Sequence, residues 1–144
     1  MSKHYSSATW KNNLVEGNGE FELKSGGYRG AYSFKSRFED DKSISSPEEL
    51  IGAANASCFS MALAHELDQA GFKPEEISTE AEVTLSKSGD GFSITEILLK
   101  TKGRVKGIDK GKFLEIAGNA KVNCPVSRAL KATNIRLDAE LLES

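Results

Sequence analysis

The chain has 144 residues, and its 19 Lys and Arg against 21 Asp and Glu leave a formal charge of −2. A chain of this size makes one domain, residues 1–144, that buries roughly two thirds of its unfolded surface without metals or staples. Near-neutral charge with no long block of like sign argues against a nucleic-acid partner. The longest uncharged run, Leu50–Ala64, is 15 residues, short of the ~20 that span a bilayer.

The N-terminus MSKHYSSATW lacks the apolar stretch of a secretory signal, so a soluble cytoplasmic protein is expected. The first 38 residues read as short strands and turns. Tyr5–Trp10, Gly19–Leu23 and Tyr32–Phe38 are β-prone, and EGNG and KSGGYRG supply turn glycines. The period then changes. Ser46 suits an N-cap, Pro47 the first helical position, and Glu49, three residues after Ser46, completes a capping box. Gly71 is a natural stop. Apolar and small residues occupy every face from Leu50 to Ala64, the pattern of a central helix buried all round.

Thr79, Ala81, Val83 and Leu85 alternate along Ile77–Ser86, and Phe92–Lys102 resumes after SKSGDG, predicting a hairpin. A helix is predicted over 110–122. NCPVSRALKA opens a short third helix, with Cys124 at the N-cap and Pro125 at the first helical position. The tail alternates Ile135, Leu137, Ala139 and Leu141 and closes the chain as a strand. The order defines an α+β class.

Cys58 and Cys124 are the only cysteines, 66 positions apart, and His4 and His65 the only histidines. That set fits neither a zinc spacing nor C-x-x-C, so no metal and no cofactor are expected. A free cysteine in an alanine-rich helix is ordinarily packing. Burial raises a thiol pKa, which argues against Cys58 as a nucleophile, whereas Cys124 sits where unpaired helix N–H groups favour a thiolate, with Arg128 one turn on. Local electrostatics choose Cys124.

SPEELIGAANASCFSMAL, followed 66 residues after its cysteine by CPVSRALKA, resembles the OsmC/Ohr family of organic hydroperoxide peroxidases, in its osmotically inducible protein C branch. SFKSRFED, TLSKSGDGFSITEILLK and GID extend the likeness over essentially the whole chain. The resemblance implies antiparallel sheets wrapped around long central helices in an intertwined homodimer. It implies a stress-response peroxidase in which Cys58 attacks the hydroperoxide, becomes a sulfenic acid and condenses with the resolving Cys124. That reverses the choice from local electrostatics. The resemblance further implies that Arg37 stands beside the reactive cysteine and that Glu48 holds Arg37. A guanidinium suits this place because it keeps its charge when buried. A dithiol reductant, such as a lipoylated protein, would close the cycle.

Glu48 and Cys58 are ten residues apart on one helix, about 15 Å of rise. Either Arg37 extends the reach or a site combines Glu48 of one chain with Cys58 of another. His65, seven residues after Cys58, shares its helix face but lies about 10 Å along the axis, which leaves a cysteine–histidine hydrolase little support. The alternatives from other classes are a noncatalytic redox-sensing or binding module and a fold with two inert thiols.

Overall fold

From the N-terminus the chain forms β1 (Ser6–Lys11), β2 (Asn18–Leu23), β3 (Tyr28–Tyr32), α1 (Phe34–Phe38), α2 (Pro47–Gln69), β4 (Pro74–Ser88), β5 (Gly91–Val105), α3 (Lys110–Asn123), α4 (Pro125–Ala129) and β6 (Asn134–Leu142). The coordinates are a computed structural model describing residues 1–143. They divide after Leu50 into two units.

In the first unit β1, β2 and β3 form an antiparallel sheet in chain order. Gly19 pairs with Trp10 on one side and Tyr32 on the other. A Cβ at Gly19 would lie 2.5 Å from the Tyr32 ring and 2.7 Å from Trp10, so the missing side chain is what lets those rings meet across the strand, centroids 5.5 Å apart.

The strand predicted over Tyr32–Phe38 is corrected. β3 ends at Tyr32 and Phe34–Phe38 is one turn of helix. Ser33 caps it: its hydroxyl accepts from Ser36 N–H at 3.1 Å while Ser36 Oγ accepts from Ser33 N–H at 2.9 Å. A reciprocal box three residues apart overrides the β preference of the flanking aromatics. Arg37 is therefore a helical residue.

α2 starts as predicted, with Glu49 N–H donating to Ser46 Oγ at 3.1 Å. The predicted box stays half-made, because the Glu49 carboxylate accepts instead from the Ser45 hydroxyl. Gly71 ends the helix with φ +89°. Gly71 N–H donates to Asp68 O and Phe72 N–H to Leu67 O, the paired bonds of a Schellman stop.

In the second unit β4 and β5 make a long hairpin and β6 runs parallel to β5. The expectation of antiparallel sheets is thus corrected for this mixed sheet. Parallel neighbours require a crossover, and α3 and α4 supply it. The core combines Phe59, Leu63 and Leu67 of α2, Ile97, Leu99 and Val105 of β5, and Phe113, Ile116 and Ala117 of α3. Each large side chain buried here contributes about 1.5–3 kcal/mol.

The expectation of a helix buried all round is also corrected. Asn55, Phe59, Leu63 and Leu67, at a spacing of four, are fully buried, whereas Met61 is 75% exposed and Ala53, Ala54, Ser57 and His65 are exposed too. One face of α2 is packed within this chain and the small-residue face is not.

Candidate active site

Cys58 lies midway along α2 on its half-buried flank, and Cys124 lies at the junction between α3 and α4, fully buried. The junction follows from the sequence. Cys124 ends α3 by donating its N–H to Ala120 O, and caps α4 through its sulfur, which accepts from Ser127 N–H at 3.5 Å. Pro125 fits the first helical position because its missing N–H would have had no helical partner.

The fold brings the two cysteines together as free thiols, near enough for each to influence the other's ionisation. Burial pushes the Cys58 thiol up, and the neighbouring Cys124 sulfur pushes it further; the Val126 N–H pulls the other way. Burial also raises Cys124, but the Cys58 thiol, Ser127 and the Val126 N–H all stabilise its anion, and the net shift is downward. Local electrostatics thus place the thiolate on Cys124, and access to solvent favours Cys58. Reactivity needs both thiolate character and access.

Two side chains that the sequence reasoning did not single out complete this cluster. Asn55 precedes Cys58 by three residues on α2, and Ser127 follows Cys124 by three at the start of α4. Both are buried, and Ser127 Oγ–H donates to Asn55 Oδ1 at 3.2 Å. The available signal was an amide inside an otherwise apolar or small run, in register with Phe59 and Leu63.

Arg37 and Glu48 form the second predicted pair. α1 presents Arg37 and the first turn of α2 presents Glu48, with Arg37 Nε donating to Glu48 Oε1 at 2.8 Å. The carboxylate is nearly buried, and its position in the first helical turn suits a negative charge. Arg37 also lies 5.3 Å from the Phe38 ring centroid. Beside it opens a cleft of about 410 Å³ walled by Trp10, Leu14, Tyr32, Phe34 and Phe38. A second cleft, about 700 Å³, is lined by Ser127 of the cysteine cluster together with Lys121, Arg128 and Lys131. His65 is exposed, seven residues along α2 from Cys58.

Among the described residues no three His, Cys, Asp or Glu side chains converge as metal ligands, and no helix is long and apolar enough to cross a membrane.

A pair of neighbouring cysteines, one residue partly exposed and the other shifted toward its anion, is the equipment of a redox-active dithiol. The family model for OsmC-like proteins matches residues 40–140. The chain is 47% identical over 135 residues to Peroxiredoxin OsmC of Escherichia coli (strain K12), covering 93% of each. The structure superposes on an OsmC-like protein of unknown function from Vibrio cholerae with a TM-score of 0.75 at 20% identity, over 96% of this chain and 99% of that one. It superposes on the organic hydroperoxide resistance protein OhrB of Bacillus subtilis with a TM-score of 0.68 at 24% identity, over 96% and 98%. The chain belongs to the OsmC-like family, and its fold is the α+β fold of that family, with two sheets and central helices.

Proposed function

We propose that the protein is a two-cysteine, thiol-dependent peroxidase that reduces organic hydroperoxides to alcohols as part of an antioxidant response. The observation that carries this is the Cys58–Cys124 contact with only Cys58 partly accessible. Cys58 is the peroxidatic residue and Cys124 the resolving one. As Cys58 attacks, its proton passes to the neighbouring Cys124 sulfur. The Cys58 sulfur forms a bond to the distal peroxide oxygen, the O–O bond breaks, and the leaving alkoxide takes a proton from solvent to become the alcohol. Sulfur is oxidised by two electrons and the hydroperoxide reduced by two. The Cys124 sulfur then displaces water from the Cys58 sulfenic acid, forming the disulfide.

Support for an organic substrate comes from the aromatic cleft beside Arg37, whose walls suit an alkyl or lipid chain better than hydrogen peroxide. Arg37 orients the peroxide and stabilises developing negative charge, and Glu48 fixes Arg37. Ten residues of α2 separate Glu48 from Cys58, so the complete site draws Arg37 and Glu48 from one chain and Cys58 and Cys124 from a second copy. The exposed face of α2, with Met61, Ala53 and Ala54, supports a homodimer that covers it. A dithiol, such as a lipoylated protein, reopens the disulfide in the cytoplasm, and the chain works as one OsmC-like domain.

Turnover tests the reading. With excess dithiol the protein consumes many equivalents of cumene hydroperoxide, and a stoichiometric stop after one would instead identify a redox sensor. Mixing Glu48→Ala chains with Cys58→Ser chains restores one site in two if each site is shared. No recovery in exchanged mixtures would place all four residues on one chain.

A further inference from the structure

Among the described residues, two buried side-chain polar atoms have no hydrogen-bond partner, Glu48 Oε2 and Asn55 Nδ2. The first belongs to the ion pair already described. The second does not, and a buried amide N–H left unmet is costly enough to require a role.

The geometry around Asn55 supplies one. Asn55 and Cys58 stand three residues apart on α2, and Cys124 and Ser127 stand three apart where α4 begins. Residues at that spacing are neighbours on one helix face. The two pairs meet side to side: Cys58 neighbours Cys124, and Ser127 Oγ donates to Asn55 Oδ1 at 3.2 Å. Ser127 N–H in turn donates to the Cys124 sulfur. Asn55 is 0% exposed. Its Oδ1 is fixed by Ser127, so the amide cannot turn freely, and the Nδ2–H groups remain unused on a residue three positions before Cys58 on the same helix.

We propose that Asn55 is a catalytic residue whose Nδ2–H donates to the oxygen transferred onto Cys58. Resting on the peroxidase reading, this assigns the donor for the one oxygen the Cys58 sulfur acquires. In the attack the S–O bond forms as the O–O bond breaks and the negative charge departs on the leaving alkoxide, while the transferred oxygen, which keeps its own hydrogen, is held in line with the sulfur by an N–H already desolvated and fixed in place. A preorganised donor of this kind is worth more than the same bond in water. Ser127 then has two tasks: its N–H steadies the Cys124 anion and its hydroxyl steadies Asn55.

The test compares two reactions of the same thiol. In full-length protein the rate of Cys58 oxidation by cumene hydroperoxide, followed by dimedone trapping and intact mass, is set beside its alkylation by iodoacetamide at the same pH. Asn55→Leu, close in volume but without an N–H, should slow oxidation by about ten- to a hundredfold while alkylation stays near the native rate. Asn55→His, which keeps an N–H donor, should recover most of the loss. If Asn55→Leu does not fold, Asn55→Ala carries the same comparison. Oxidation and alkylation falling together would overturn the assignment, because Asn55 would then act on thiolate supply or packing. Neither falling would overturn it as well, with the N–H met by water or a second chain. A native protein inert to the hydroperoxide would sink the peroxidase reading itself, which separates the two failures.

Discussion

Replacing Arg37 by alanine removes the described partner of the Glu48 carboxylate. The two ends of this ion pair differ in environment, because the Glu48 side chain is 8% exposed and the Arg37 side chain 42%. Two unit charges about 4 Å apart at an effective dielectric constant of about 20 attract by about 4 kcal/mol, an upper bound here. The half-exposed guanidinium lowers that bound, since surface pairs are worth ~0–1 kcal/mol. Orphaning the carboxylate works the other way, because a fully buried pair broken at one end costs ~3–5 kcal/mol. Between these limits Arg37→Ala should cost about 2–3 kcal/mol. Glu48→Gln strands only a partly solvated cation and should cost about 1 kcal/mol. The double variant should lose less than the two single losses added. Urea unfolding at one fixed protein concentration measures all three, since any oligomerisation makes the midpoint depend on concentration. A loss under about 0.5 kcal/mol for Arg37→Ala, the size of an ordinary surface change, together with zero coupling in the cycle would refute the buried-carboxylate account.

The thiol pair should titrate in two separated steps by ultraviolet thiolate absorbance, one below and one above the ordinary thiol value, because Cys124 is shifted down and Cys58 up. The signs fix the stability profile. The Cys124 contribution is present above the unfolded thiol value and lost as pH falls through its native value, whereas the Cys58 contribution is present below the unfolded value and lost as pH rises through its native one. Cys58→Ala removes a neighbour that stabilises the Cys124 anion and should raise the remaining step; one step at the ordinary value in the native protein would contradict the described contact. A Cβ added at Gly103 would lie 2.8 Å from the ring of the fully buried Phe113. Gly103→Ala should therefore cost about 1–3 kcal/mol by thermal or urea unfolding, and an unchanged midpoint would mean that Phe113 repacks without strain.

The sequence made the long regular elements legible and left the short ones obscure. Ser46, Pro47 and Gly71 marked α2 because capping and chain reversal depend on local chemistry, and Cys124-Pro125 marked α4 for the same reason. Phe34–Phe38 escaped because its aromatics read as strand, and only the Ser33–Ser36 pair betrayed the helix. The parallel pairing of β5 with β6 was missed because strand direction is set by the crossover through α3 and α4. The one-sided burial of α2 was hidden because alanine and serine carry little hint of which face packs within the chain. At the site, the two cysteines could be named from spacing and resemblance. The place of Asn55 beside Ser127 depends on a contact across 72 positions of sequence, which no local pattern encodes.

The most direct measurement mixes fully reduced protein with about one equivalent of cumene hydroperoxide, quenches rapidly, and records free thiols and denatured intact mass, with hydrogen peroxide in parallel. Loss of both thiols with a mass decrease of about 2 Da, faster for the organic peroxide, is the result predicted for a Cys58–Cys124 cycle. Two thiols unchanged after minutes would contradict it and leave a family fold without the family chemistry.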